Sequence, residues 1–126
     1  MRIFLLILIL TIQSFGQTYY ISNTGNDSNN GLSTSTAWRT TDKLHSSWGS
    51  ISTGSTIKFN RGDTFAPNNI DGRTGVIEIP NYKTDITLDA YGTGANPIIS
   101  DANVVDYSEG IRTSAIARFE VRNLDI

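Results

Sequence analysis

Apolar and polar residues alternate in short bursts along this chain, and the bursts are separated by stretches of Gly, Asn, Asp, Ser and Pro. Thr18 to Ser22, TYYIS, is rich in β-formers and runs straight into a polar stretch, which predicts a short strand. The polar stretch, Ser22 to Ser33 (SNTGNDSNNGLS), contains one large apolar side chain, Leu32. Its residues accept left-handed backbone angles or bond their own main chain, so a series of tight turns is expected. In STAWRTTDKLHSSW, Thr40 or Thr41 stands where a helix cap belongs. Leu44 and Trp48 then fall four apart on one helix face, with Trp38 packing beside its start. The Thr-rich beginning limits this helix to about three turns.

From Ile51 onward the pattern shifts to short β segments. STIKFN turns Ile57 and Phe59 inward, and GVIEIP does the same with Val76 or Ile77 and with Ile79. TDITLDAY follows with Ile86, Leu88 and Ala90, and ARFEVRNLDI with Phe119, Val121 and Leu124 or Ile126. No second helical pattern follows the first, so the chain reads as mainly β. A sandwich or barrel would favour two-residue hairpin turns, whereas NRGDTFAPNNIDGRTG and YGTGANP are longer and irregular. A coiled parallel solenoid takes short strands joined by turns of variable length, each coil burying its apolar side on the next. The spacing from Ile57 to Ile86 to Val121 is only roughly regular, and pattern alone leaves these topologies open.

The chain has 126 residues, and residues 1–16 read as a signal peptide. Arg2 supplies a positive start, Ile3 to Leu10 is an apolar run, and Ser14-Phe15-Gly16 carries small residues at the spacing a signal peptidase accepts, with cleavage before Gln17. An uncleaved anchor is the alternative, but a spanning helix needs about 20 apolar residues. A secreted or periplasmic location is therefore expected, with no membrane partner after cleavage. The remainder suits one domain with a thin core. Cysteine is absent, so an exported domain of this size has no disulfides to compensate for that core. The net charge is −2 with both signs scattered, and the lack of a basic tract argues against nucleic acid and anionic lipid as partners.

Together these segments resemble a known family. YYISNTGNDSNNGLSTSTAWRTTDKL resembles the opening of secreted right-handed parallel β-helix proteins of the pectate-lyase-like superfamily: a strand, a Gly-Asn-Asp-Ser-Asn-x-Gly loop, an aromatic and a Thr-rich lead into a capping helix. STGSTIKFNRGDTF is similar to the family's first coil, with Ser55 where Asp is usual. DITLDAYGTGANPIIS and ARFEVRNLDI are similar to later coils, so the likeness spans Tyr19 to Ile126.

The resemblance implies an all-β fold, a right-handed parallel β-helix (solenoid). Its N-terminal cap, 17–50, would hold a strand, the turn loop and one short helix; 51–126 would form the first three or four coils. The loop at Ser22 to Ser33 would reverse the chain into a lid near Leu44 and Trp48, because an open solenoid end exposes unpaired strand edges. The apolar close, EVRNLDI, implies a truncated product or fragment, meeting further β-helix coils in a longer chain or self-associating through its open end. The implied function is binding or degrading extracellular polysaccharide, the expected partner. A full-length relative would be a polysaccharide lyase or glycoside hydrolase, with the catalytic coils missing here and this chain alone inactive. The alternative is a noncatalytic surface or adhesive solenoid module.

Candidate chemistry is sparse. Asn26, Ser28 and Asn30 alternate before Gly31 as calcium ligands do, but the twelfth position, where a bidentate acid belongs, is Ala37, and Asp27 is the one nearby carboxylate. No metal and no cofactor are expected. Asn26-Asp27-Ser28 is also a glycosylation sequon. His45, the sole histidine, reads as a solvated or locally bonded cap residue rather than part of a triad or metal site. Glycan hydrolysis needs two carboxyl groups across the scissile bond, and lyase chemistry needs a base with a cation for the uronate carboxylate. Asp85, Asp89, Asp101 and Asp106 with Arg112, Arg118 and Arg122 are the available groups. Asp85 with Asp89, and Arg118 with Arg122, are spaced to share a strand face. Solvated charge is the favoured reading of these groups, and no catalytic residue is assigned. Arg61-Gly62-Asp63 and YGTGANP read as corners rather than as an integrin motif or a phosphate loop.

Overall fold

The computed structural model describes residues 15–66, 75–99, 109–113 and 119–126. Along the chain come β1 (Thr18–Ile21), a 3₁₀ turn at Thr34–Thr36, α1 (Thr41–Ser47), β2 (Thr56–Asn60), β3 (Thr64–Phe65) and β4 (Gly75–Ile79). Then follow β5 (Ile86–Tyr91), β6 (Ile98–Ile99), β7 (Glu109–Thr113) and β8 (Phe119–Val121). They form one four-stranded sheet in the order β1-β2-β5-β8 and two pairs, β3-β6 and β4-β7. All five strand pairings are parallel.

Side-chain alternation fixes which face of the large sheet is buried. Tyr19 and Ile21 of β1, Ile57 and Phe59 of β2, and Ile86, Leu88 and Ala90 of β5 point into the core, while the residues between them are half-buried on the outer face. The register places Tyr19 beside Ile57 and Ile57 beside Leu88, so the apolar rows run across the strands. A one-residue slip would turn every one of these side chains to solvent. Each fully buried Ile, Leu or Phe contributes about 1.5–3 kcal/mol of transfer free energy. Phe65 meets Phe59 edge-on with ring centres 5.1 Å apart, and Ile77, Ile79 and Ile99 complete the core from the two smaller sheets.

Helix α1 starts at Thr40, whose hydroxyl accepts from the Lys43 N–H, and buries Thr41, Leu44, His45 and Ser47. Leu44 and, just past the helix, Trp48 enter the same core as the strands. His45 ties the helix to β4, its Nε2 accepting from the Glu78 N–H at 2.9 Å. Trp38 lies stacked on Tyr19 at 5.1 Å, and its indole N–H donates to the Asn29 carbonyl at 2.9 Å.

These features correct the expected fold class. The expectation was an all-β right-handed parallel β-helix with an N-terminal cap and three or four coils. Instead, the strands fall into three separate parallel sheets, and a helix supplies part of the central core. No closed solenoid is traced among the described residues. The physical reason is local: the apolar face of α1 is needed inside the core, so the helix is a member of the packed structure rather than an accessory to an all-β one. One smaller correction accompanies it: Thr64–Phe65, read as part of the connection NRGDTFAPNNIDGRTG, is a strand paired with Ile98–Ile99. Glu109–Thr113, to which the residue pattern assigned nothing, is a strand beside β4. Residues 1–14 of the expected leader lie outside the described residues.

Candidate functional site

The polar loop between β1 and the 3₁₀ turn is held by its own side chains. Asn26 Oδ1 accepts from the Ser28 N–H at 2.9 Å, and Asn30 Oδ1 accepts from the Leu32 N–H at 3.0 Å and from the Thr36 hydroxyl at 2.9 Å. These oxygens therefore close turns of their own and do not converge on a point. Ala37, at the twelfth position, is buried, and its carbonyl accepts from the Asn26 N–H and from the Asn29 side-chain amide. Among the described residues no group of three His, Asp or Glu side chains is placed to hold a metal.

Two carboxylates fasten the loop to its neighbours. Asp27 Oδ1 accepts from the N–H groups of Arg39 (2.7 Å) and Thr40 (3.0 Å), while its Oδ2 accepts from the Thr40 hydroxyl (2.7 Å). Thr40 is the helix cap, so Asp27 positions the residue that starts α1. Asp63 Oδ2 accepts from Ser22 Oγ (3.1 Å), the Asn23 N–H (2.9 Å) and Asn60 Nδ2 (3.2 Å). The Arg-Gly-Asp tripeptide is thus internally engaged at both ends, since the Arg61 guanidinium donates to Asn96 Oδ1. Between these two anchor points lies a groove of about 460 Å³, with Asn23, Arg39, Thr40, Thr41, Thr64 and Phe65 among its walls. Its lining mixes the Asp27 carboxylate and the Arg39 guanidinium with hydroxyl, amide and apolar groups, and the Thr40 hydroxyl and Asn23 amide are already donated to Asp27 and to the Thr64 carbonyl.

The outer face of the four-stranded sheet carries a second set of groups. Parallel register makes Tyr20, Lys58 and Asp89 one row, and Thr18, Thr56, Thr87 and Glu120 the row beside it. Tyr20 meets Tyr91 edge-on at 5.2 Å. Burial pushes the Tyr91 phenol above its ordinary value, opposed by its hydrogen bond with Ser22. Asp89 Oδ1 accepts from Asn123 Nδ2 at 2.8 Å and from the Ala90 N–H at 2.8 Å. Partial burial alone would raise the Asp89 carboxyl. The Asn123 and Ala90 bonds, with the charges of Lys58 and Arg122, outweigh it and hold the carboxyl below its ordinary value. Arg122 grips Glu120 through two bonds of 2.8 Å, Nε to Oε1 and Nη2 to Oε2, which lowers the Glu120 carboxyl.

The structure separates several groups that spacing had put together. Asp89 stands on β5, but Asp85 precedes the strand with a left-handed backbone (φ 58°) and is exposed, so strand alternation does not carry it onto the Asp89 face. Arg122 lies beside Asp89. Asp101, Asp106 and Arg118 lie outside the described residues, and of Arg112 the backbone alone is described, paired in register with Glu78. Lys83 was missed in the sequence. It is buried, its ammonium donates to the Ile51 carbonyl and it stands 5.3 Å from the Tyr82 ring centre. Nothing in PNYKTD marks a lysine for burial. Arg39, Asn23 and Thr64 were also missed, although the Asp27 and Thr40 that bring the groove together lie in the quoted motif.

No family model matches the chain, and no curated protein matches it. Among solved structures it is similar to a GH136 lacto-N-biosidase from Eubacterium ramulus, at 24% identity and a TM-score of 0.47 over 66% of this chain and 12% of that one. The selenomethionine form of that enzyme gives 22% and 0.46 over the same shares. The neighbours are carbohydrate-active proteins, and the similarity to them is weak. This chain matches about an eighth of their length, and no statement about its own activity follows from them.

Proposed function

We propose that this chain belongs to an exported protein that binds or degrades extracellular polysaccharide, and that the outer face of the β1-β2-β5-β8 sheet is its contact surface. The observation that carries the reading is the Tyr20–Tyr91 pair set in register beside Lys58 and Asp89. Aromatic rings with a polar tip suit a partner that is apolar on its faces and hydroxylated at its edges. The likeness of the opening segment to secreted polysaccharide-acting proteins supports the same class of partner. The charges refine it. Lys58 and Arg122 are matched by Asp89 and Glu120 on the same face, so the face has no net attraction for a polyanion. Hydroxyl contacts dominate, and a neutral or weakly charged glycan is the favoured ligand.

Affinity electrophoresis of the complete chain through gels containing neutral or acidic polysaccharides, at low and high salt, tests this. Retardation by a neutral polysaccharide is expected to survive high salt, and Tyr20→Ala or Tyr91→Ala is expected to weaken it on the order of tenfold, the loss typical of a well-used aromatic contact. Retardation by acidic polysaccharides alone and its disappearance in salt would refute the proposal, as would unchanged binding by both tyrosine variants. Release of reducing ends or unsaturated uronides distinguishes a degrading protein from the alternative, a noncatalytic adhesive module.

A further inference from the structure

Gln17 is the residue immediately after the proposed cleavage point, and the structure holds both of its nitrogen- and oxygen-bearing ends. Its backbone N–H donates to Ser55 Oγ at 3.0 Å, and Ser55 is fully buried. Its side-chain Oε1 accepts from the Tyr19 hydroxyl at 3.0 Å. Its carbonyl accepts from the Thr56 N–H at 2.9 Å, which anchors the residue at the head of the β1-β2 pairing. In a processed chain the nitrogen on Ser55 is the α-amine. An N-terminal glutamine carries a nucleophile and an electrophile in one residue: the amine can attack the Cδ of its own carboxamide and close a five-membered ring.

We propose that Gln17 is a modification site, at which Ser55 and Tyr19 assist closure of the processed N-terminus to a pyroglutamyl lactam. The step balances within one residue. The α-nitrogen lone pair forms the N–Cδ bond, the Cδ–Nε2 bond breaks, the proton shed by the α-nitrogen passes to Nε2, and ammonia leaves. No oxidant, metal or co-reactant takes part. Ser55 Oγ holds the nitrogen by accepting one of its hydrogens, and the lactam keeps one N–H for the same bond. The Tyr19 hydroxyl points at the oxygen on which negative charge develops as the tetrahedral intermediate forms, the position at which a fixed donor accelerates acyl transfer. Burial raises the Tyr19 phenol above its ordinary value, so it remains a donor at neutral pH. Ring closure is intramolecular, so no second molecule has to be captured. The product has no α-ammonium to be desolvated against the Ser55 hydroxyl and resists aminopeptidases.

This inference rests on the export reading, and the experiment keeps the two apart. The full chain is expressed in an exporting host, and the N-terminal peptide of the folded product is mapped by mass over time at neutral pH. The expected product begins at residue 17 and lacks one ammonia. Tyr19→Phe keeps the ring stacked on Trp38 and removes the donor; Ser55→Ala removes the acceptor. Each is expected to slow closure on the order of tenfold, less than the 10²–10³ seen for a donor in an enclosed active site because Gln17 is exposed, with native tryptophan fluorescence retained. A folded product that keeps a free Gln17 amine overturns the proposal, and so does closure at the wild-type rate in both variants. A product beginning elsewhere overturns the export reading on which it rests. Gly16→Ala reads processing independently. A Cβ at residue 16 would stand 2.0 Å from the Gly54 carbonyl oxygen, so an unchanged thermal midpoint is expected if residue 16 is removed and a lowered one if it is retained.

Discussion

Replacing Asp27 by Ala isolates what the polar loop does for the helix. The carboxylate accepts three hydrogen bonds at 2.7–3.0 Å, from the Arg39 and Thr40 N–H groups and from the Thr40 hydroxyl. Hydrogen bonds to a charged partner contribute about 1.5–3 kcal/mol each when water is excluded. Asp27 is only half-buried, so water recovers part of that when the carboxylate is removed. A net loss of about 2–3 kcal/mol is expected, more than the roughly 1 kcal/mol of an ordinary cap deletion. Thr40→Ala removes one of the three bonds and the cap to Lys43, so the double variant should lose less than the sum of the singles by about 1 kcal/mol. Asp27→Asn retains one acceptor oxygen and should fall between. Urea unfolding followed by the fluorescence of Trp38 and Trp48 measures the four variants against the wild type, with the denaturant slope expected to stay constant. A loss below about 0.5 kcal/mol for Asp27→Ala, or full additivity in the cycle, would show that Asp27 does not position the cap.

Three further outcomes follow from single positions. Gly31 has φ 73°, and a Cβ there would stand 2.6 Å from Trp38 Cε2. Gly31→Ala should therefore cost about 3 kcal/mol or more from left-handed strain plus displacement of the indole. Gly62→Ala, at φ 84° in open space, should cost only about 1–2 kcal/mol; equal losses at the two sites would refute the assignment of the indole as the cause. Asn123→Gly keeps the left-handed backbone (φ 53°) and removes the donor to Asp89, so a carboxylate NMR titration should show Asp89 moving up toward its ordinary 3.8. The sign follows from a depressed folded value. Asp89 contributes stability above its unfolded pKa, and that contribution fades as pH falls from about 3.8 through the lower folded value. The acid limb of the variant's stability curve should therefore be shallower than that of the wild type, and an unmoved Asp89 would refute the attribution to Asn123.

The parts of this structure legible in the sequence are those written in residue periodicity. Ile57 with Phe59 and Ile86 with Leu88 and Ala90 alternate with polar neighbours and lie inside, and Leu44 four before Trp48 marks the buried helix face. Two-residue strands carry no period, so Thr64–Phe65 reads as part of a connection and Ile98–Ile99 receives no strand of its own; their pairing is set by tertiary context. Leu124 and Ile126 could not be ranked by alternation, and the structure half-buries the first while leaving the second exposed. The outer-face site was legible only in pieces. Tyr20, Lys58 and Asp89 are far apart in the chain, and strand register alone makes them one row. Asp85 illustrates the converse, because a left-handed residue at a strand's edge breaks the alternation on which spacing depends.

Parallel pairing throughout also governs how the chain can reach its native state. Thr18 waits for Thr56, Thr56 for Thr87 and Ile86 for Phe119, so every rung closes a loop of roughly thirty residues or more, and relative contact order is high. Among the described residues no hairpin offers a quick nucleus. Assembly should consequently run in milliseconds to seconds rather than microseconds, and a nascent β1 remains an unpaired edge until β2 has emerged.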